Sequence, residues 1–437
     1  MSRTRSSVAL LASATALVAV AGCSSSSSGS SSSAGATAGG KVSISFMSIM
    51  DSGTQKTTLV ALTNAFEKAN PGITVNLEYQ TSYGNLLAKE TAGVSAHNAP
   101  TLGQVMESWA ATFANSDAIL PVSQYAGSSS SPAGLSAFYT GVQNDLKLPD
   151  GKLWMWPFNK SVQVIYYNQN MLKAKGLTAP TTWDQFAADA KAVSGNGVTA
   201  ISVDPGSSSS PGGGQTMFQA LAAAYGTPDF AADGTPQINS PAAIKALTYM
   251  QTLKNEGALA VGTNYPGETA LGAQKGVFDL SSAAGYYYEN QAVGNKFPLG
   301  TEVLPTGPSG TPTNIMTGSN VAMFADASAA QQAAGWKYMQ FLASAPSQAQ
   351  WSEQTGYLPV TSAALPLMSS FIAKNPYMNT AVAALEYAVP QSPYAWVAQA
   401  EGEEVVAIQA VLEKGTDPTT ALNTAQKAAL ADKQADQ

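Results

Sequence analysis

Apolar residues recur along this chain at two alternating spacings. In KVSISFMS, Val42, Ile44 and Phe46 fall on every second position, the period of a half-buried strand. In TQKTTLVALTNAFEKANPG, Leu59, Leu62 and Phe66 share one helical face, and Asn70-Pro71-Gly72 stops the helix. ITVNLEYQ returns to period two through Ile73, Val75, Leu77 and Tyr79. YGNLLAKETAGVSA then predicts a helix, TLGQVME a strand, and WAATFANSDA a helix leading to ILPVSQY. Strands alternating with helices imply a mainly parallel sheet covered on both faces.

The pattern restarts with a long strand-like run, LWMWPFNKSVQVIYYN. Helical periodicity follows in QNMLKAKGL and in TWDQFAADAKAVS, where Thr182 suits an N-cap and Trp183 the first helical position. TAISVD predicts a strand, and TMFQALAAAYG a helix ending at Gly226. SPAAIKALTYMQTLKNEG opens on Ser240 with Pro241 in its first turn and stops at Gly257. The chain closes with SAAQQAAGWKYMQFLAS, PSQAQWSEQTG and two Ala-rich helices after Ala398. There is no internal repeat. The expectation is an α/β fold of two lobes with C-terminal helices.

The N-terminus follows neither period. Arg3 and Arg5 precede an apolar run from Val8 to Val20. That run has the form of a secretory signal and falls short of the ~20 residues that span a bilayer. It closes on Val20-Ala21-Gly22-Cys23, and Cys23 is the only cysteine, so a disulfide within the chain is excluded. Small residues before a cysteine resemble the bacterial lipobox, which implies removal of residues 1–22 and lipidation of Cys23. An ordinary secretory signal with an incidental cysteine is the alternative. Residues 23–40 are then the lipidated cysteine and a Ser/Gly tether too polar to bury a core, with a reach of roughly 20–25 Å.

Charge narrows the partners. Without the signal the 21 basic residues fall to 19, against 28 acids, a net charge of −9. An acidic body argues against nucleic acid or anionic lipid as a partner. Arg3 and Arg5 are also the only arginines, so the body has no guanidinium with which to grip a phosphate.

Several blocks, in order, resemble the extracellular solute-binding proteins of family 1, the ligand receptors of bacterial ABC importers. They are AFEKANPGITVNLEY, SAHNAPTLGQVME, ILPVSQY and VIYYNQNMLKAKGLTAPTTWDQF, the last being the most specific. PFNKS and WSEQTGYLPV narrow the resemblance to the glycerol-3-phosphate-type branch. It covers nearly all of the body and implies a two-lobed, periplasmic-binding-protein-like α/β fold that closes at a hinge. Lobe 1 is expected over 41–160 and 283–320, and lobe 2 over 161–282 and 321–437. The implied protein is a lipid-anchored monomer on the extracytoplasmic face of the membrane, handing a small solute to a permease. No chemistry and no cofactor are implied.

The resemblance also implies ligand-binding positions in an interlobe cleft. Tyr83 and Glu107 come from the first lobe, Glu107 accepting hydrogen bonds from ligand hydroxyls. Ser161 lies at the crossover, Gly318 lets backbone approach the ligand, and Tyr357 supplies a ring and a hydroxyl. Ser282 remains near a serine-rich segment of the branch, where Tyr286 and Tyr287 follow. The branch's phosphate-binding arginine is missing from VPQSPYAWVAQAEG, which offers Tyr394 and Trp396 instead, and DPGSSSSPGGGQT lacks the branch's tryptophan. Lys160 or helix N-termini could still hold an anion. The aromatic residues favour a neutral carbohydrate or polyol over glycerol 3-phosphate.

Other signals carry less. PGGGQT lacks the lysine of a P-loop, and Asp229, Asp233 and Gly234 lack the full ligand set of a calcium loop. Ser-His catalysis would depend on the single histidine, His97, in a polar turn. A glycosidase using two of the carboxylates, or an adhesion lipoprotein outside transport, are the alternatives to a receptor.

Overall fold

The structure, a computed structural model, describes residues 40–126, 134–207 and 210–436. The expected signal, Cys23 and all but the last residue of the tether lie outside the described residues. Among those described, no helix is long and apolar enough to cross a membrane.

Two hydrophobic cores make the two expected lobes. The first packs Phe46, Leu62 and Phe66 with Trp156, Phe158, Tyr338 and Trp351, and extends to Ala388. The second packs Trp183, Phe186, Phe218, Leu247 and Phe278 with Ile408, Leu412 and Leu422 of the C-terminal helices. The switch falls inside one strand, Trp156–Asn168, where Val164 and Tyr166 join the first core and Ile165 the second. Alternate side chains of a strand face opposite ways, so one strand can serve both cores. One expected boundary differs: residues 321–388, assigned by the sequence to lobe 2, pack in the first core. Strand Asn314–Phe324 carries the chain back there, and only the stretch from Trp396 onward rejoins the second core.

A single eleven-stranded sheet runs through both lobes. Its outer pairs are parallel, as expected: Val42–Ser48 beside Ile73–Tyr79 in one lobe, and Ile201–Val203 beside Leu259–Val261 in the other. Its middle is not. Asn314–Phe324 runs antiparallel to both Leu102–Val105 and Trp156–Asn168, and Phe278–Ser282 runs antiparallel to Trp156–Asn168. The chain goes out on one long strand and returns on another, so the two meet head to tail.

Local signals hold where they were legible. The Thr182 side chain accepts from Gln185 N, and that of Ser240 from Ala243 N, each capping the helix that follows. Such caps contribute about 1 kcal/mol each. Gly226 and Gly257 end their helices at φ +102° and +75°, backbone that side chains rarely tolerate.

Candidate functional site

The two crossing strands carry the site. Ser161 pairs with Thr317, Lys160 with Gly318 and Asn159 with Ser319, and a bulge then brings Asn320 opposite Pro157. Proline cannot donate to a ladder, and a bulge is where a central strand accommodates it. The result is a row of polar residues in a strand buried on both faces, every one of which needs a partner.

One group of partners is neutral. Gln104 Nε2 donates to Ser319 Oγ at 2.6 Å and to Asn159 Oδ1 at 3.3 Å, and Ser319 Oγ donates to Asn159 Oδ1 at 2.7 Å. Tyr83 lies beside Asn159, Ser319 and Tyr357, and its ring meets Trp109 edge-on. Burial pushes the Tyr83 hydroxyl up to about 12 and Tyr357 well above its usual value. Both remain neutral donors.

The other group is ionic. The Lys160 ammonium lies 3.1 Å from Glu107 Oε1 and 2.5 Å from Asp145 Oδ2, with all three residues at most 2% exposed. Asn320 Nδ2 bridges the same two carboxylates, at 3.1 and 2.7 Å. Burial and the Asp145 charge raise Glu107 to about 8, outweighing Lys160. Burial opposes the Lys160 charge, but the two carboxylates hold its pKa above the ordinary value. Glu107 Oε2 and Asn320 Oδ1 are buried without a hydrogen-bond partner.

Of the sequence-predicted residues, Tyr83, Glu107, Ser161, Ser282, Gly318 and Tyr357 gather around the crossover. Ser161 Oγ accepts from Ser282 Oγ at 2.8 Å and from Ala284 N at 3.2 Å. Gly318 serves the sheet first: a Cβ there would sit 1.9 Å from Asn159 O, and its φ is +93°. Trp396 stands apart, in the second core, donating to Gly234 O with Lys433 over its ring. The expected aromatics Tyr286 and Tyr287 are also engaged, one stacked on Tyr377 and the other donating to Glu353 O. Tyr288 is 41% exposed, and its hydroxyl lies 3.7 Å from where a Cβ on Gly53 would stand. Sequence reading missed Gln104, Asp145, Ser319 and Asn320. Two recesses on the second lobe, around Thr182, Trp183, Tyr225 and Tyr249, involve none of these groups.

Residues 61–380 match the family model described as bacterial extracellular solute-binding protein. The chain is 29% identical over 337 residues to the sn-glycerol-3-phosphate-binding periplasmic protein UgpB of Pectobacterium atrosepticum, covering 72% of this chain and 73% of that protein. In fold it is similar to UgpB of Mycobacterium tuberculosis, solved in complex with glycerophosphocholine, with a TM-score of 0.80, 20% identity, and coverage of 90% of this chain and 99% of that one. It is also similar to the GacH receptor of Streptomyces glaucescens, solved with acarbose, with a TM-score of 0.78, 17% identity, and coverage of 90% and 98%.

Proposed function

The chain belongs to the bacterial extracellular solute-binding proteins, and on that premise we propose that it captures a carbohydrate or polyol between its lobes for the permease of an ABC importer. The similar proteins span both glycerol phosphates and sugars. One observation favours a non-anionic solute: Lys160, the cation at the crossover, is already engaged by Asp145 and Glu107. No arginine in the body replaces it. Neutral sugar is therefore favoured over glycerol 3-phosphate. Tyr288 offers a ring face for stacking, with Tyr83 and Tyr357 as neutral donors to hydroxyls. A solute that touches both lobes drives closure by its preference for the closed form. The protein acts as a monomer without cofactor or catalysis. It is held at the extracytoplasmic face by lipid on Cys23, so Cys23→Ser should move it from the membrane fraction to the medium.

Thermal unfolding against mono- to tetrasaccharides, glycerol 3-phosphate and a glycerophosphodiester tests the reading. A ligand at 100 times its dissociation constant stabilises by ~2.7 kcal/mol. Stabilisation by sugars alone is expected. Stabilisation by glycerol 3-phosphate alone would overturn the ligand class and turn attention to backbone amides at helix N-termini.

A further inference from the structure

The second lobe holds a set of acidic groups that takes no part in the crossover network. Helix Gly213–Ala224 presents Gln215 and Gln219, one turn apart, to the first turns of helix Val397–Lys414. The loop after the first of these helices adds Asp229. Gln219 Nε2 donates to Asp229 Oδ2 at 3.0 Å and to Glu404 Oε2 at 3.1 Å, and Gln215 Nε2 donates to that same Glu404 oxygen at 3.1 Å. Both amides thus reach Glu404 through Oε2. Its Oε1 has no hydrogen-bond partner although the residue is 0% exposed. Glu401, three residues earlier on the same helix, is only half-buried, and its backbone carbonyl accepts from Gln215 Nε2 at 3.0 Å.

No described ion pair supplies a cation to these three carboxyls. Lys433 is engaged elsewhere, with Thr235 Oγ1 at 2.7 Å and the Trp396 ring. Among the described residues no group of three such side chains is arranged to hold a metal ion. The helix that carries Glu401 and Glu404 also touches helix Glu107–Asn115 of the first lobe, which places it at the junction of the lobes.

We propose that Asp229, Glu401 and Glu404 receive a protonated amine of the captured solute, so that the solute is a sugar or polyol carrying an ammonium group. The proposal rests on the sugar-receptor reading and deepens it, replacing the neutral sugar favoured there with a cationic one. An ammonium has three donors and no acceptor, which suits a cluster holding only oxygens and amide groups already turned to them. A phosphate at the same place would meet three acids and no guanidinium. Burial raises Asp229 to about 6; burial and the Asp229 charge raise Glu401 to about 8; burial and the Asp229 and Glu401 charges raise Glu404 well above the usual carboxylate range. The empty cluster therefore keeps protons near neutral pH. An entering ammonium favours the carboxylates and sends those protons to solvent.

The test is titration calorimetry on the purified protein with sets that differ in one group: β-1,4 oligomers of glucose, N-acetylglucosamine and glucosamine, and sorbitol against its 1-amino-1-deoxy analogue. Runs at pH 7 in two buffers of different ionisation enthalpy report proton release. The aminated member should bind about tenfold or more tightly than its partners, as a charge-assisted hydrogen bond implies, and release protons. Glu404→Gln and, separately, Asp229→Asn should shrink that preference, with circular dichroism checking the fold of each. Solutes that bind with no preference for the amine, or an amine preference without proton release, overturn the inference and leave the sugar-receptor reading standing. Failure of every sugar and polyol to bind overturns both.

Discussion

Replacing Lys160 with methionine tests the ionic half of the crossover. The ammonium is 1% exposed and is shared by Glu107 Oε1 and Asp145 Oδ2. Removing the cation from a buried pair costs about 3–5 kcal/mol, because the carboxylates are left uncompensated. Unfolding entropy of about 2.1 cal/mol/K per residue over roughly 400 residues converts 1 kcal/mol to about 1.2 °C. The midpoint should therefore fall by about 4–6 °C. Glu107 is already raised to about 8 with the lysine present, and loses the nearby positive charge that lowers it when the lysine goes. At pH 6 Glu107 escapes the penalty by holding its proton. At pH 9 it escapes less, at about 1.36 kcal/mol per pH unit. Scanning calorimetry at the two pH values should show the larger loss at pH 9. Adding Glu107→Gln and Asp145→Asn to Lys160→Met should restore part of it. A loss of under 1 °C at both pH values, or an equal loss at both, would refute the reasoning by showing that water solvates the three charges.

Three further outcomes follow from the same geometry. Gly318→Ala places a Cβ 1.9 Å from Asn159 O at a φ of +93° and should destabilise by about 3 kcal/mol or more, read as a lowered urea midpoint. Trp396→Ala should cost about 3–5 kcal/mol in stability, while Tyr83→Phe should spare stability more and weaken sugar binding, which separates the core residue from the network residue. In the wild type, Glu107 and Glu401 are raised to about 8 and Asp229 to about 6. A carboxyl whose folded pKa is raised stabilises the fold below its unfolded value, near 4, and loses that stabilisation as pH rises through the folded value. Urea midpoints should accordingly fall from pH 5 to pH 8.5; a midpoint that rises over that range would contradict those shifts.

What could be read from the sequence was local. Ser240-Pro241 and Thr182-Trp183 announce their helices because a cap and a first turn lie within a few residues of each other. Tyr286–Val293, Leu299–Val303 and Asn314–Phe324 give no comparable signal, and their pairing depends on strands more than a hundred residues away. The site divides the same way. PFNKS stood out as a motif, and burial of three consecutive polar residues there demands partners. The partners Gln104, Asp145, Ser319 and Asn320 come from three other parts of the chain, and no spacing in the sequence announces them. Trp396 misled for the opposite reason. An aromatic residue in a ligand-bearing stretch has the same local appearance whether its ring faces a cleft or a core.

The same register argument places the hinge. Backbone pairing between the crossing strands runs from Trp156 opposite Val321 to Val162 opposite Met316. From Gln163 onward the first strand pairs instead with Phe278–Ser282, and from Val164 with Leu299–Val303. The two halves of the sheet therefore part at Gln163. There the ladder is replaced by a side chain: Asn314 Oδ1 accepts from Gln163 N, and Asn314 Nδ2 donates to Gln163 O, both at 2.9 Å. A side-chain amide reproduces the two bonds of a peptide group but sits on rotatable bonds, so the strands can change angle without leaving buried backbone unpaired. On the first-lobe side, Asn159, Lys160 and Ser319 fix the strands through the two networks. Rotation is thus confined to the step beyond Val162, next to the Ser161–Ser282 contact, and a solute that reaches across that contact bears directly on the pivot.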